Sequence, residues 1–447
     1  MNTYCAYYIL GRFWLQRLGG FNFALLQRRG LAAGLSVLLL LLGFTVPSLN
    51  SAESETSRPE WKISFTLPVP GEPKLNESVW TLERPPYDGL NRIGLRLVYA
   101  KNGPYKGALV YLPPAGFNGK LYTGAQEYDF RLYLAKRGWQ VFSLDFRPAF
   151  LPPRINTLSL TGEWGTNMFL NDVEQGTAFA KKVAGEKQVF LMGALEGGRL
   201  ACLYASRHQP ELRGLITLDS GPWKSYGHNP KNSLNLEDAR RALRRGDSLP
   251  NRRLFESWGV KAGPLYYEAQ LFSFHPGFRE ALQAYRKSGS QAKSPVSGYK
   301  TAGDFLAGEF YTVWGPGKLS NLRAGYGEVK VLAAYFQNAG LIHWPVRPYL
   351  EDAYIGNWGG APPEAELNFQ RDFTNLSIPA LALNSGPGDP QELQNLAGLL
   401  KKNRDFKSLR FSGFGELDLL LGSRAESQVF VPLYAWLGER NLLRQGK

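Results

Sequence analysis

Cysteine is almost missing from this chain. Its 447 residues contain two, Cys5 and Cys202. They fall on opposite sides of an apolar N-terminal run, so a chain cleaved behind that run keeps only one. A disulfide framework is thereby excluded, and Cys202 reads as a small core residue. Histidine is scarce as well, with four in the whole chain. No Cys or His spacing suits zinc, and no metal or cofactor is called for. Neither an RNP-like motif nor a basic-aromatic repeat occurs, which argues against nucleic acid as a partner.

Acidic residues are absent from the first 52 positions, which carry Arg12, Arg17, Arg28 and Arg29. Behind the arginine pair, positions 31–49 read LAAGLSVLLLLLGFTVPSL and are almost wholly apolar. A basic flank, an apolar run and small residues beyond it form a secretory signal or an uncleaved signal anchor. The positive side stays in the cytoplasm and the rest is exported, to a periplasmic or extracellular location. No cysteine closes the run, so a lipoprotein box is lacking. Lys and Arg outnumber Asp and Glu by 52 to 38, a formal +14, which favours anionic partners over neutral ones.

Hydrophobic residues make up 44% of the chain, enough to bury a large core. From Arg58 onward the pattern turns strand-like. Trp61–Leu67 and Ile93–Tyr99 alternate as antiparallel strands do. Gly107–Leu112, Trp139–Leu144, Val189–Met192, Leu212–Leu218 and Ile378–Leu383 are short, largely apolar runs, the pattern of strands covered on both faces, and Phe406–Phe411 reads as the last strand. Between them lie helical stretches at Tyr128–Arg137, Asn171–Ala184, Gln391–Asn403 and Arg424–Arg440. Strands alternating with helices imply a mostly parallel sheet.

The alternation stops at Trp223 and resumes near Ile378. Positions 223–373 are rich in aromatic residues, Gly and Pro and read as mainly helical, with one helix over Val329–Gln337. Another starts at Asn235 and carries Arg240, Arg241, Arg244 and Arg245 on one side. That side is either a solvated basic face or a surface for an anionic membrane. The organisation expected is a signal over 1–52, a core over 58–222, a cap over 223–373 and the rest of the core over 374–447.

One stretch stands apart, Lys187 to Ser206, KQVFLMGALEGGRLACLYAS. A buried strand runs into a turn crowded by Gly193, Gly197 and Gly198, and a helix follows. The layout resembles the nucleophile elbow, G-x-S-x-G, of the α/β-hydrolase family, whose strained turn lifts a serine above the sheet. Here Gly193-Ala194-Leu195-Glu196-Gly197 puts Leu195 at the serine position, and leucine cannot attack a carbonyl. The resemblance extends to 411–437, FSGFGELDLLLGSRAESQVFVPLYAWL. Relatives typically carry G-Y-G-H-L-D there with the triad histidine fourth, and here the fourth residue is Glu416. The acid position after the seventh strand of that fold is best matched by Asp389.

The resemblance therefore implies an α/β-hydrolase fold with a mainly helical cap, and triad-equivalent positions Leu195, Asp389 and Glu416. A serine hydrolase needs a nucleophile, a base and an orienting acid. Two of the three chemistries are missing. The loop after Leu112, Pro113-Pro114-Ala115-Gly116-Phe117-Asn118-Gly119, stands where the family places an oxyanion-hole donor, but its prolines have no N–H. Gly116, Phe117 and the backbone N–H of Glu196 are left as oxyanion or pocket candidates. The expectation is an exported, catalytically silent protein that binds an apolar or acyl ligand, or a partner, under its cap. Two other readings stand beside it: a hydrolase using Glu416, Glu196 or Asp389 on a water, and a purely structural scaffold.

Overall fold

A computed structural model describes residues 60–87, 89–120, 128–151, 164–222, 277–314, 327–339, 345, 348, 376–386, 390–400, 403–415 and 417–445. The N-terminal segment 1–52, the arginines at 240–245, Asp389 and Glu416 lie outside them. Residues 59–447 form one compact unit.

Among the described residues, nine strands form its sheet: β1 (Lys62–Val69), β2 (Glu72–Glu83), β3 (Arg92–Ala100), β4 (Gly107–Leu112), β5 (Trp139–Asp145), β6 (Val189–Ala194), β7 (Leu212–Leu218), β8 (Ala380–Ser385) and β9 (Phe406–Phe411). Their spatial order is β1-β2-β3-β5-β4-β6-β7-β8-β9. The pairs β1–β2, β2–β3 and β3–β5 are antiparallel, and every pair from β5–β4 to β8–β9 is parallel.

The apolar runs explain the parallel part. Leu109 and Tyr111 of β4 enter one core cluster, while Ala108, Val110 and Leu112 enter the other. Phe190, Met192 and Ala194 of β6 likewise oppose Val189 and Leu191. Successive side chains alternate between faces, so a strand covered on both sides is apolar on both of them at most positions.

The helices supply the covers. We number them α1 (Phe130–Ala135), α2 (Thr166–Ala184), α3 (Glu196–Arg207), α4 (Phe278–Ser288), α5 (Ala302–Trp314), α6 (Val329–Ala339), α7 (Pro390–Leu399), α8 (Asp418–Leu421) and α9 (Val431–Gln445). Phe169 and Val173 of α2 and Leu200, Ala201 and Tyr204 of α3 pack on one face. Phe130 of α1 and Trp436 of α9 pack on the other. Phe278, Phe305, Leu306, Val331, Tyr335 and Phe336, from α4, α5 and α6, join that second cluster. The described helices of 223–373 thus share a core with the sheet. Tyr128 Oη donates to Glu328 Oε1 at 2.6 Å beside α6 and holds that carboxyl below the usual glutamate range.

Sequence and structure part company in a few places. Trp61–Leu67 and Ile93–Tyr99 do become strands, but they are not neighbours. The intervening β2 pairs with both. Its sequence, EPKLNESVWTLE, has Glu, Pro, Lys and Asn among its first five residues, and these have low strand propensity. Helix α2 begins at Thr166, five residues before the periodicity suggests, and Gly185 at φ 68° ends it. Helix α7 stops at Leu399, short of Asn403.

Candidate functional site

The site is built on the turn between β6 and α3. Leu195, at its apex, has φ 48° and ψ −119°. Such a backbone costs about 1–3 kcal/mol and persists only where the surroundings impose it. Here they do so through packing and hydrogen bonds. A Cβ on Gly193 would lie 2.6 Å from Gly198 Cα. One on Gly198 would lie 2.5 Å from Ser220 Cβ. One on Gly197 would lie 2.7 Å from the Leu112 carbonyl carbon and closer still to the oxygens of Leu112 and Pro113. The three glycines therefore let α3 start directly against β4 and the β7 loop.

Hydrogen bonds complete the turn. Leu195 N donates to Leu218 O at 3.0 Å, and Arg199 N donates to Leu195 O at 3.0 Å. Ser220 Oγ also donates to Leu195 O, at 2.7 Å. A serine does stand beside the elbow, then, but its hydroxyl props the turn. Leu195 itself is partly buried and packs against the cluster that holds α4, α5 and α6.

The loop after β4 faces this turn. Phe117 N donates to Pro114 O at 3.1 Å, and Gly116 has φ 79°, the geometry that needs glycine at the third position of a turn. Gly119 N donates to Asp145 Oδ1 at 2.7 Å. Ala115 N, the first N–H after two prolines, donates to Glu196 Oε2 at 3.2 Å. Phe117 stacks on Tyr335 of α6 with ring centroids 5.0 Å apart, and lies 5.2 Å from the Phe336 ring.

These contacts bear on one expectation. The oxyanion-hole reading pairs the Glu196 backbone N–H with a donor from 115–119. The structure commits the N–H groups of Ala115, Phe117 and Gly119 elsewhere, and the group on Ala115 is the Glu196 carboxylate itself. Phe117 contributes its ring to the contact with α6. Leu195, Glu196, Gly116 and Phe117 do come together. Asp389 and Glu416, the other triad-equivalent positions, are outside the described residues, although their neighbours Gly386, Gly415 and Leu417 are not.

Two residues at this end of the sheet escape the sequence reading. Asp219, just after β7, has φ 43°, donates its N–H to Leu383 O at 2.9 Å and accepts from Ser385 N at 2.6 Å through Oδ1. Asp418 Oδ2 accepts from Gly415 N at 2.7 Å, next to Glu416. Both are buried, Asp219 bracing the end of β8 and Asp418 the loop after β9. The Asp-Ser-Gly-Pro cluster at 219–222 reads only as a strand end. His208, at the other end of α3, stacks on Tyr204 and pairs with Glu211 at 3.0 Å. It therefore belongs to the helix C-terminus.

No protein-family model matches the chain. A proline iminopeptidase from Thermoplasma volcanium is 33% identical over 108 residues, which are 23% of this chain. The match spans 33% of that relative's length. Among solved structures, a candidate lipase from Sulfolobus solfataricus superposes with a TM-score of 0.62 at 23% identity. That match covers 85% of this chain and 99% of the other. Sheet order, elbow and likeness agree: this chain has the α/β-hydrolase fold.

Proposed function

We propose that this hydrolase-like protein is exported and holds an apolar or acyl ligand over its elbow without cleaving it. One observation carries the reading. The strained turn is kept in full, and the side chain it lifts is Leu195. A leucine offers contact surface and no chemistry.

The test of silence is direct. Purified protein should form no adduct with a fluorophosphonate and should hydrolyse short p-nitrophenyl esters at the background rate. Leu195→Ser alone should change neither result, since a triad acts as a unit and an unactivated hydroxyl has no base. Leu195→Ser with Glu416→His should give slow labelling, with Asp389 as the acid. The rate should stay low, because losing one oxyanion donor costs about a hundredfold to a thousandfold. Robust esterase activity in the unmodified protein, abolished by Glu416→Gln, would overturn the reading and assign a carboxylate-based hydrolase instead.

Export has its own test. The arginine-flanked apolar run at 31–49 motivates it. A reporter enzyme that works only outside the cytoplasm, fused after position 60, should be active. A silent fusion beside an active cytoplasmic reporter would refute export while leaving the elbow reading intact.

A further inference from the structure

We infer that the face at the start of β4, at the end of the sheet remote from the elbow, docks on an anionic lipid membrane. The inference needs nothing from the elbow reading and goes beyond it.

The fold gathers the charges. β4 and β6 run parallel, so the start of β4 and the elbow after β6 lie at opposite ends of the sheet. Lys101 follows β3, and its N–H donates to the Lys74 carbonyl of β2 at 2.9 Å. Tyr105 Oη donates back to Ala100 O at 2.8 Å. Lys106 N donates to Gly138 O at 2.8 Å, which sets Lys106 beside Lys136 and Arg137 at the end of α1. Three separate segments thus bring five cations to one face. Lys74, Lys101, Lys106 and Lys136 are exposed, and Arg137 is half-buried.

Little opposes this charge. Glu72 pairs with Lys136. Among the described residues, Lys74, Lys101, Lys106 and Arg137 form no ion pair. Glu426 is within electrostatic reach of Tyr133, one turn before Arg137. The helix dipole alone accounts for cations at the end of α1. It does not account for Lys74, Lys101 and Lys106, which stand on strands and a loop.

The aromatic side chains choose the partner. Arg137 lies over the Tyr133 ring, 3.5 Å from its centroid. Lys106 Nζ donates to Tyr434 Oη at 2.7 Å, and Tyr105 packs edge-on against Tyr99. A single-stranded nucleic acid needs open ring faces on which its bases stack. These rings are already engaged by cations or by each other. Phosphate headgroups ask only for charge, and each Lys or Arg near an anionic leaflet raises affinity about fivefold. Tyr105 is 39% exposed, and Val431, one turn from Tyr434, is 47% exposed. They add the apolar contact that a membrane interface accepts.

A dye on this face would report its distance from lipid. Asn102→Cys in a Cys5→Ser background gives one accessible thiol, because Cys202 is buried. The labelled full chain would be mixed with vesicles of phosphatidylcholine, or of phosphatidylcholine with phosphatidylglycerol, each holding an acceptor-labelled lipid. Energy transfer should be severalfold higher on the anionic vesicles and should fall back in high salt. Lys101→Glu with Lys106→Glu should return it to the neutral-vesicle level, with an unchanged far-UV circular dichroism spectrum. Lys101→Arg with Lys106→Arg should preserve it. Lys293→Glu with Lys300→Glu makes the same change of net charge at exposed positions outside the face, and should also preserve it. Equal transfer on both kinds of vesicle, or an equal loss from the Lys293 and Lys300 pair, would overturn the inference. So would a single-stranded oligonucleotide that binds through Lys101 and Lys106 while transfer stays at the neutral-vesicle level, which would assign the face to nucleic acid.

Discussion

Gly197→Ala is expected to destabilise the fold by about 3 kcal/mol or more, the upper end for overpacking a tight site. The added methyl has nowhere to go. It would sit 2.7 Å from the Leu112 carbonyl carbon and nearer still to the oxygens of Leu112 and Pro113. Those are backbone atoms at the end of β4, a central strand paired on both sides, and a side-chain rotation cannot clear them. The helix must move off the sheet, and Leu195 and Glu196 move with it. Urea unfolding followed by far-UV circular dichroism should show a much lower midpoint with little change in slope. Gly398→Ala is the control. It lies in α7, where an added Cβ meets no atom within 4 Å, and alanine should gain about 0.5–1 kcal/mol there. A Gly197→Ala midpoint within the error of the unmodified protein would refute the close-packed elbow.

The second large effect belongs to Asp172. Its carboxylate, on α2, is fully buried between two arginines. Arg147 Nε donates to Oδ2 at 2.7 Å and Arg147 Nη2 to Oδ1 at 2.9 Å, a two-pronged contact. Arg84 Nε reaches Oδ1 at 3.3 Å. Arg147 also donates to Asn91 Oδ1 at 3.0 Å. The group ties the loop after β5 and the β2–β3 connection to the helix that covers the sheet. Asp172→Ala would leave a guanidinium with 3% side-chain exposure facing an empty place. Breaking a buried pair in this way costs about 3–5 kcal/mol, mostly for the stranded charge. Adding Arg147→Met to Asp172→Ala should therefore recover much of the loss, although it removes yet another polar group. Denaturant curves for both variants measure this. No recovery in the double variant would mean that the cost is cavity and lost hydrogen bonds, and the charge argument would fail.

Local pattern alone was enough for the parallel half of the sheet. A strand covered on both faces is largely apolar, so β4 to β8 announce themselves as short, mostly apolar runs. The elbow was legible for a similar reason. Gly193, Gly197 and Gly198 have no substitute where helix and strand touch, and their spacing encloses a position that in this chain is Leu195. What the sequence leaves open is anything that depends on which distant groups meet. Strand β2 has a weak pattern of its own and exists because β1 and β3 flank it. Ala115 and Glu196 are 81 residues apart, and no local period predicts that one's N–H meets the other's carboxylate. The Arg84–Asp172–Arg147 cluster likewise joins three separate segments. Periodicity reports which face of an element is buried. The partner of a buried polar group is chosen by tertiary packing, because burial makes a partner necessary without saying where in the chain it comes from.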